Sequence, residues 1–149
     1  MKLLLAAPCN LALQDPVVGH SLIGVFHEIK IQVPHDAPEI PGDAMLPKEW
    51  AIFSKFGLEP SEEDKDYTLK TDIFWPDGKV LASHILDAMP PTKNGMAFIA
   101  KSQAFPMGQQ GVVRIRESLT SEGKVVFGPI EMEVKVSVER SLPSIKENK

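Results

Sequence analysis

His20 and Ser21 are adjacent in a chain rich in carboxylates. Those are the residue types of a serine nucleophile, its base and the acid that orients the base. Such a serine needs exposure on a sharp Gly-x-Ser-x-Gly turn. Ser21 is flanked by His20 and Leu22, so that turn is missing. Cys9, the single cysteine, would become a thiol nucleophile with His20, His27 or His84 as its base. It follows an apolar run and has no cation beside it to hold a thiolate, so an inert, buried thiol is the expectation.

Metal binding needs convergent His, Cys or carboxylate ligands. The histidines are His20, His27, His35 and His84, and none forms His-x-His or His-Glu-x-x-His. The local clusters are His35 with Asp36, His84 with Asp87, and the acidic run Glu62, Glu63, Asp64 and Asp66. That run lacks the Asp-x-Asp-x-Asp-Gly order of a calcium loop and reads as a solvated charge run. No metal and no cofactor is expected. His27 interrupts an otherwise aliphatic face. It reads either as a hydrogen-bonded core histidine or as a pocket residue, and His84 is the second pocket candidate.

Charge narrows the partners. Lys+Arg 16 against Asp+Glu 20 gives 16 − 20 = −4. A mildly acidic chain is poorly suited to nucleic acid, which is bound through basic patches. Arg114 and Arg116 alternate with Val113 and Ile115, but Arg140 is the only other arginine. No Gly-rich phosphate loop occurs, and no stretch reaches the roughly 18 uninterrupted apolar residues of a membrane helix. The apolar run at residues 3–7 is shorter than the roughly 7–15 residues of a signal peptide, and Pro8 precedes Cys9. A soluble cytoplasmic protein starting at Met1 is therefore expected, in keeping with a lone cysteine.

The elements that must position these residues are strands. The chain has 149 residues, 43% hydrophobic and 24% charged, ordinary values for one globular domain. Prolines number 13 of 149, about 9% against a usual 5% or so, which argues against a helical bundle. The hydrophobic period is mostly two. Met132, Val134, Val136 and Val138 alternate with Glu133, Lys135 and Ser137. Ile23, Val25, Ile29, Ile31 and Val33 form a longer run, with His27 on its apolar side and Phe26 on its polar side. That run is long for one strand and is expected to bend near His27-Glu28, passing between sheets. Tyr67, Leu69, Thr71, Ile73 and Trp75 alternate up to Pro76-Asp77-Gly78, a turn with Trp75 at its first position.

Further strands are expected at residues 3–7, 50–56, 95–105 and 111–117, although 48–56 also fits one or two helical turns. Residues 119–124 read as a second hairpin turn with a return arm at 124–127, which Gly128-Pro129 interrupts. Residues 34–47 hold Pro34, Pro38, Pro41 and Pro47 and read as a long surface connection. Residues 58–66 and 87–94, the latter with Pro90-Pro91, are further loops. The pattern predicts an all-β fold: one antiparallel β-sandwich of about seven to nine strands over residues 1–140, with a polar tail at 141–149.

The block Ser21-Leu22-Ile23-Gly24-Val25-Phe26-His27-Glu28-Ile29, preceded by Pro8-Cys9-Asn10, resembles the N-terminal signature of a family of small bacterial proteins of unknown function. The Pro76-Asp77-Gly78 turn and the alternating last strand are similar to later parts of that family. The resemblance covers nearly the whole chain and implies a β-sandwich of bacterial or phage origin. It implies no catalytic residue.

With a complete structural pattern and no leftover catalytic set, the leading expectation is a non-enzymatic interaction or accessory module. It would bind a protein partner or a second copy of itself through a strand edge or through residues 34–50. Met45, Leu46 and Trp50 are its candidate anchors; the alternative is that these three close the end of the core. A small ligand-binding or hydrolytic protein with a pocket near His27 or His84 is the competing expectation.

Overall fold

A computed structural model describes residues 1–15, 19–87 and 95–142. The expected loop at 87–94 falls on residues outside this set except for Asp87. The expected tail at 141–149 does so beyond Leu142. Among the described residues the fold is all-β, with two sheets arranged as a sandwich. Nine strands follow in order: β1 Lys2–Asp15, β2 Gly19–Val25, β3 Glu28–Val33, β4 Met45–Gly57, β5 Thr68–Phe74, β6 Val80–Asp87, β7 Met96–Pro106, β8 Gly111–Ser121 and β9 Lys124–Arg140. The four-stranded sheet has the order β2-β1-β4-β7, and the five-stranded sheet the order β3-β9-β8-β5-β6.

Local chemistry builds the hairpins. In β5 the alternation turns Leu69, Thr71 and Ile73 into the core while Lys70 faces water. The amide of Gly78 donates to the carbonyl of Trp75 at 2.9 Å, closing the expected turn, and Gly78 takes a φ of 89°. The strands on either side pair antiparallel, Ile73 opposite Ala82. The second hairpin turns on Glu122 and Gly123, both at positive φ (51° and 73°). Two such residues match the right-handed twist of the flanking strands. In β9, Val134 and Val136 are buried, and Glu133 and Lys135 face solvent. β9 continues through Gly128-Pro129, with its register against β8 shifting between Glu117 and Leu119.

Three expectations are corrected. The run from Ile23 to Val33 does pass from one sheet to the other, but its phase changes on the way. Ile23 and Val25 are 51% and 59% exposed, while Phe26 packs against the core with Ile29 and Val33. Alternation counted across a bend loses its register, so the apolar face assigned to Ile23, Val25 and His27 is not the core face. The sandwich is also not wholly antiparallel. β3 pairs parallel with β9, Ile29 opposite Val136. Parallel neighbours need a long connection, and here most of the chain lies between them. Finally, the connection from β3 ends at residue 44 rather than 47, because β4 begins at Met45 and runs through the strand expected at 50–56.

The main core lies between the sheets. Trp50, Ile52 and Phe105 of the four-stranded sheet meet Ile73, Val113, Ile115, Val134 and Val136 of the other. Phe56, Phe98, Tyr67 and Leu69 extend it toward the far end. A second, smaller core involves the opposite face of β4. Ala51 and Phe53 alternate with the inward Trp50, Ile52 and Ser54, so all five consecutive residues are buried. Cys9, Ala12, Leu22, Ala97 and Ile99 cover them. Pairing of β1 with β4 stops at Cys9 opposite Ala51, whereas pairing of β1 with β2 continues to Asp15 opposite Gly19. The β1–β2 hairpin thus leaves the sheet and packs Ala12, Leu22 and His20 beside Phe53.

Candidate functional site

The residues singled out by type do not converge. His27 is exposed at the passage between sheets, where its carbonyl accepts from the Lys135 amide at 2.9 Å. His84 lies on β6, at the opposite edge of the five-stranded sheet. Four strand spacings separate the two, about 19 Å, so they do not share a site. His20 packs tilted against Phe53, ring centroids 5.2 Å apart, and burial followed by the Lys55 charge pulls its pKa down. Its neighbour Ser21 is exposed and points to the other face of β2, so the two do not form a nucleophile and base. Cys9 is fully buried, and burial pushes its thiol pKa up against a hydrogen bond from the Leu11 amide. Among the described residues, no group of three or more His, Cys, Asp or Glu side chains is placed to hold a metal. The acidic run at 62–66 follows one turn of 3-10 helix at Pro60–Glu62, and Glu62 pairs with the Met1 ammonium at 2.8 Å.

Of the three candidate anchors, only Met45 is exposed. Trp50 is 2% exposed, and its Nε1–H donates to the Ala104 carbonyl at 2.9 Å. Phe26 and Phe105 pack edge-on or tilted against it, at 6.2 and 5.2 Å. Leu46 packs against the same cluster. Trp50 and Leu46 therefore close the end of the core. No described helix is long and apolar enough to cross a membrane.

The outward surfaces hold a stronger signal. On β8 and β9, Arg116 meets Glu131 at 2.9 Å, Arg114 meets Glu133 at 3.8 Å, and Arg116 also lies over the Phe74 ring at 5.3 Å. This is a solvated, self-paired charge ladder, and the two arginines are engaged within it. On the β1–β2 hairpin, Leu11 stands opposite Ile23, with Leu13 and Val25 to either side, all between 41% and 59% exposed. β2 is an edge strand and carries no charged residue and no proline. Charges and prolines are how sheet edges normally resist pairing with another chain. Sequence reading missed this surface because it assigned Ile23 and Val25 to the core.

Beside the hairpin, where β1 leaves β4, a cleft of about 210 Å³ opens over Ala51. Glu49, Lys101 and Gln103 line it with Leu11 and Ala12. Inside the sandwich, Glu117 of β8 is wholly buried, hydrogen-bonded to Ser54 of β4 and, at 3.0 Å, to Thr71 of β5. The signal that could have found it is its parity. Val113, Ile115, Glu117 and Leu119 share one face, opposite Arg114 and Arg116.

No protein-family model matches the chain, and no curated protein does.

Proposed function

We propose that the protein is a non-enzymatic interaction module whose binding surface is the β1–β2 hairpin. The observation that carries this reading is the row Leu11, Leu13, Ile23 and Val25, exposed on a hairpin whose edge strand β2 carries no charged residue. A strand of a partner protein, or β2 of a second copy, would add its backbone to the open edge and cover the apolar row. The proline-bearing connection at residues 34–44, followed by exposed Met45, offers a secondary contact, because proline limits the entropy lost on docking.

Light scattering across a concentration series tests the self-association form, and capture from a bacterial lysate tests the partner form. Ile23→Glu and Val25→Lys should abolish association or capture while leaving the melting temperature almost unchanged. A strictly monomeric protein that captures nothing, or whose variants behave as wild type, removes this reading.

A second reading is favoured by the cleft over Ala51. Among the described residues its Glu49 and Lys101 form no ion pair, so a carboxylate and an ammonium face one small cleft. Such a cleft suits a small zwitterionic ligand. Amide shifts confined to Ala51, Ser102 and their neighbours on adding a free amino acid would support it, and no shifts at millimolar ligand would remove it.

A further inference from the structure

Among the described residues, Glu117 is a carboxyl group with no cation to face. It sits on the inner side of β8 between Ile115 and Leu119 and is 0% exposed. Its partners are hydroxyls from both sheets: Ser54 of β4 across the sandwich and Thr71 of β5 alongside. The charged residues of the surrounding strands point away. Lys55 on β4, Lys70 and Asp72 on β5, Lys101 on β7 and Glu131 and Glu133 on β9 occupy positions alternate to the inward ones. The buried Tyr67 hydroxyl donates to the Glu62 carbonyl at 3.0 Å. Among the described residues, one titratable group remains on the inner side, His84 of β6, opposite Thr71 in the register, as Thr71 is opposite Glu117. Directly opposed side chains lie about 5 Å apart, so His84, Thr71 and Glu117 form one polar row running from the core to the β6 edge.

That edge is a seam. β6 and β7 terminate the two sheets and meet without a shared ladder. The gap bordered by His84, Trp50, Ile73 and Ala100 is too narrow to admit a water molecule. We propose that Glu117 is a proton-operated latch between the sheets: as a neutral acid it ties β8 to β4 through Ser54, and loss of its proton to solvent opens the β6–β7 seam. A carboxylate without a counter-charge is not tolerated in a dry core and must be hydrated. His84, partly exposed, marks the route by which water arrives. Burial pushes the Glu117 pKa up, against the pull of the two hydroxyls, which is the direction the latch requires.

The sign follows from linkage. The folded pKa lies above the unfolded value of about 4.3, so the destabilisation is absent below that pH. It grows as pH rises toward the folded pKa and is constant beyond it. The wild-type folding constant should fall by up to about tenfold per pH unit in that window, and Glu117→Gln should remove this slope. Denaturant melts from about pH 5 to pH 9 measure both. Amide exchange, corrected for its intrinsic pH dependence, should accelerate first in β6 and β7. Should Glu117→Gln fail to fold, the infrared carbonyl stretch of a protonated carboxyl in the wild type decides. Its presence at the acid end of that range and its loss as pH rises, in step with β6–β7 exchange, supports the latch. Equal slopes in the two proteins, no protonated carboxyl at the acid end of that range, or exchange that rises uniformly over all strands would overturn it.

Discussion

On the five-stranded sheet, the outward positions of β8 and β9 carry Arg114, Arg116, Glu131 and Glu133, paired across the strands and open to water. On the four-stranded sheet, the outward positions of β4 carry Ala51 and Phe53, both nearly inaccessible. The first face needs no cover, because its charges pair with one another and stay hydrated. The second cannot face water, so the β1–β2 hairpin folds beside it and buries Phe53. The cover then carries its own apolar residues, Leu11, Leu13, Ile23 and Val25, on the far side. Covering one apolar surface has moved the problem one layer out, and the new surface lies on an unprotected edge.

Four measurements test this contrast. The largest effect should come from the inner face, which both sheets share. Val136→Asp places an unpaired carboxylate in the core and should cost at least about 3 kcal/mol, while the adjacent Lys135→Asp should cost less than about 1 kcal/mol. Equal melting temperatures would refute the β9 register. Next, Phe53→Ala on the outer face of the four-stranded sheet should cost about 3–5 kcal/mol, as for a core phenylalanine. A loss below about 1 kcal/mol would show that the hairpin does not seal this face.

The Cys9 thiol provides a kinetic check on the same seal. A thiol reagent should label the native protein only as fast as the hairpin lifts or the chain unfolds, with full reaction in denaturant. Labelling of the native protein at the denatured rate would place Cys9 outside the cover. The smallest effect belongs to the charge ladder. Arg116→Ala should cost less than about 1 kcal/mol, and molar salt should erase most of that difference. A larger, salt-insensitive loss would mean that the packing of Arg116 on Phe74 matters more than its ion pair.

Much of the fold was legible wherever one strand kept one face inward for its whole length. The alternations of β5 and β9 and the Pro76-Asp77-Gly78 turn are local, and each was confirmed by burial or by a turn hydrogen bond. The passage of the chain between sheets near His27 was legible too, as an excess of length. What was lost there was phase. A bend rotates the side chains that follow it, and period-two counting assigns Val25 and Phe26 to the wrong sides.

The all-β class, both hairpin turns and the inward residues of the strands with one solvated face are written in the local pattern of residues. These follow from interactions between residues a few positions apart. Tertiary structure alone decided that β3 runs parallel to β9, that β4 is buried on both faces, and that Glu117 meets Ser54 from the opposite sheet. Each depends on groups distant in sequence and close in space, which alternation along one strand does not encode.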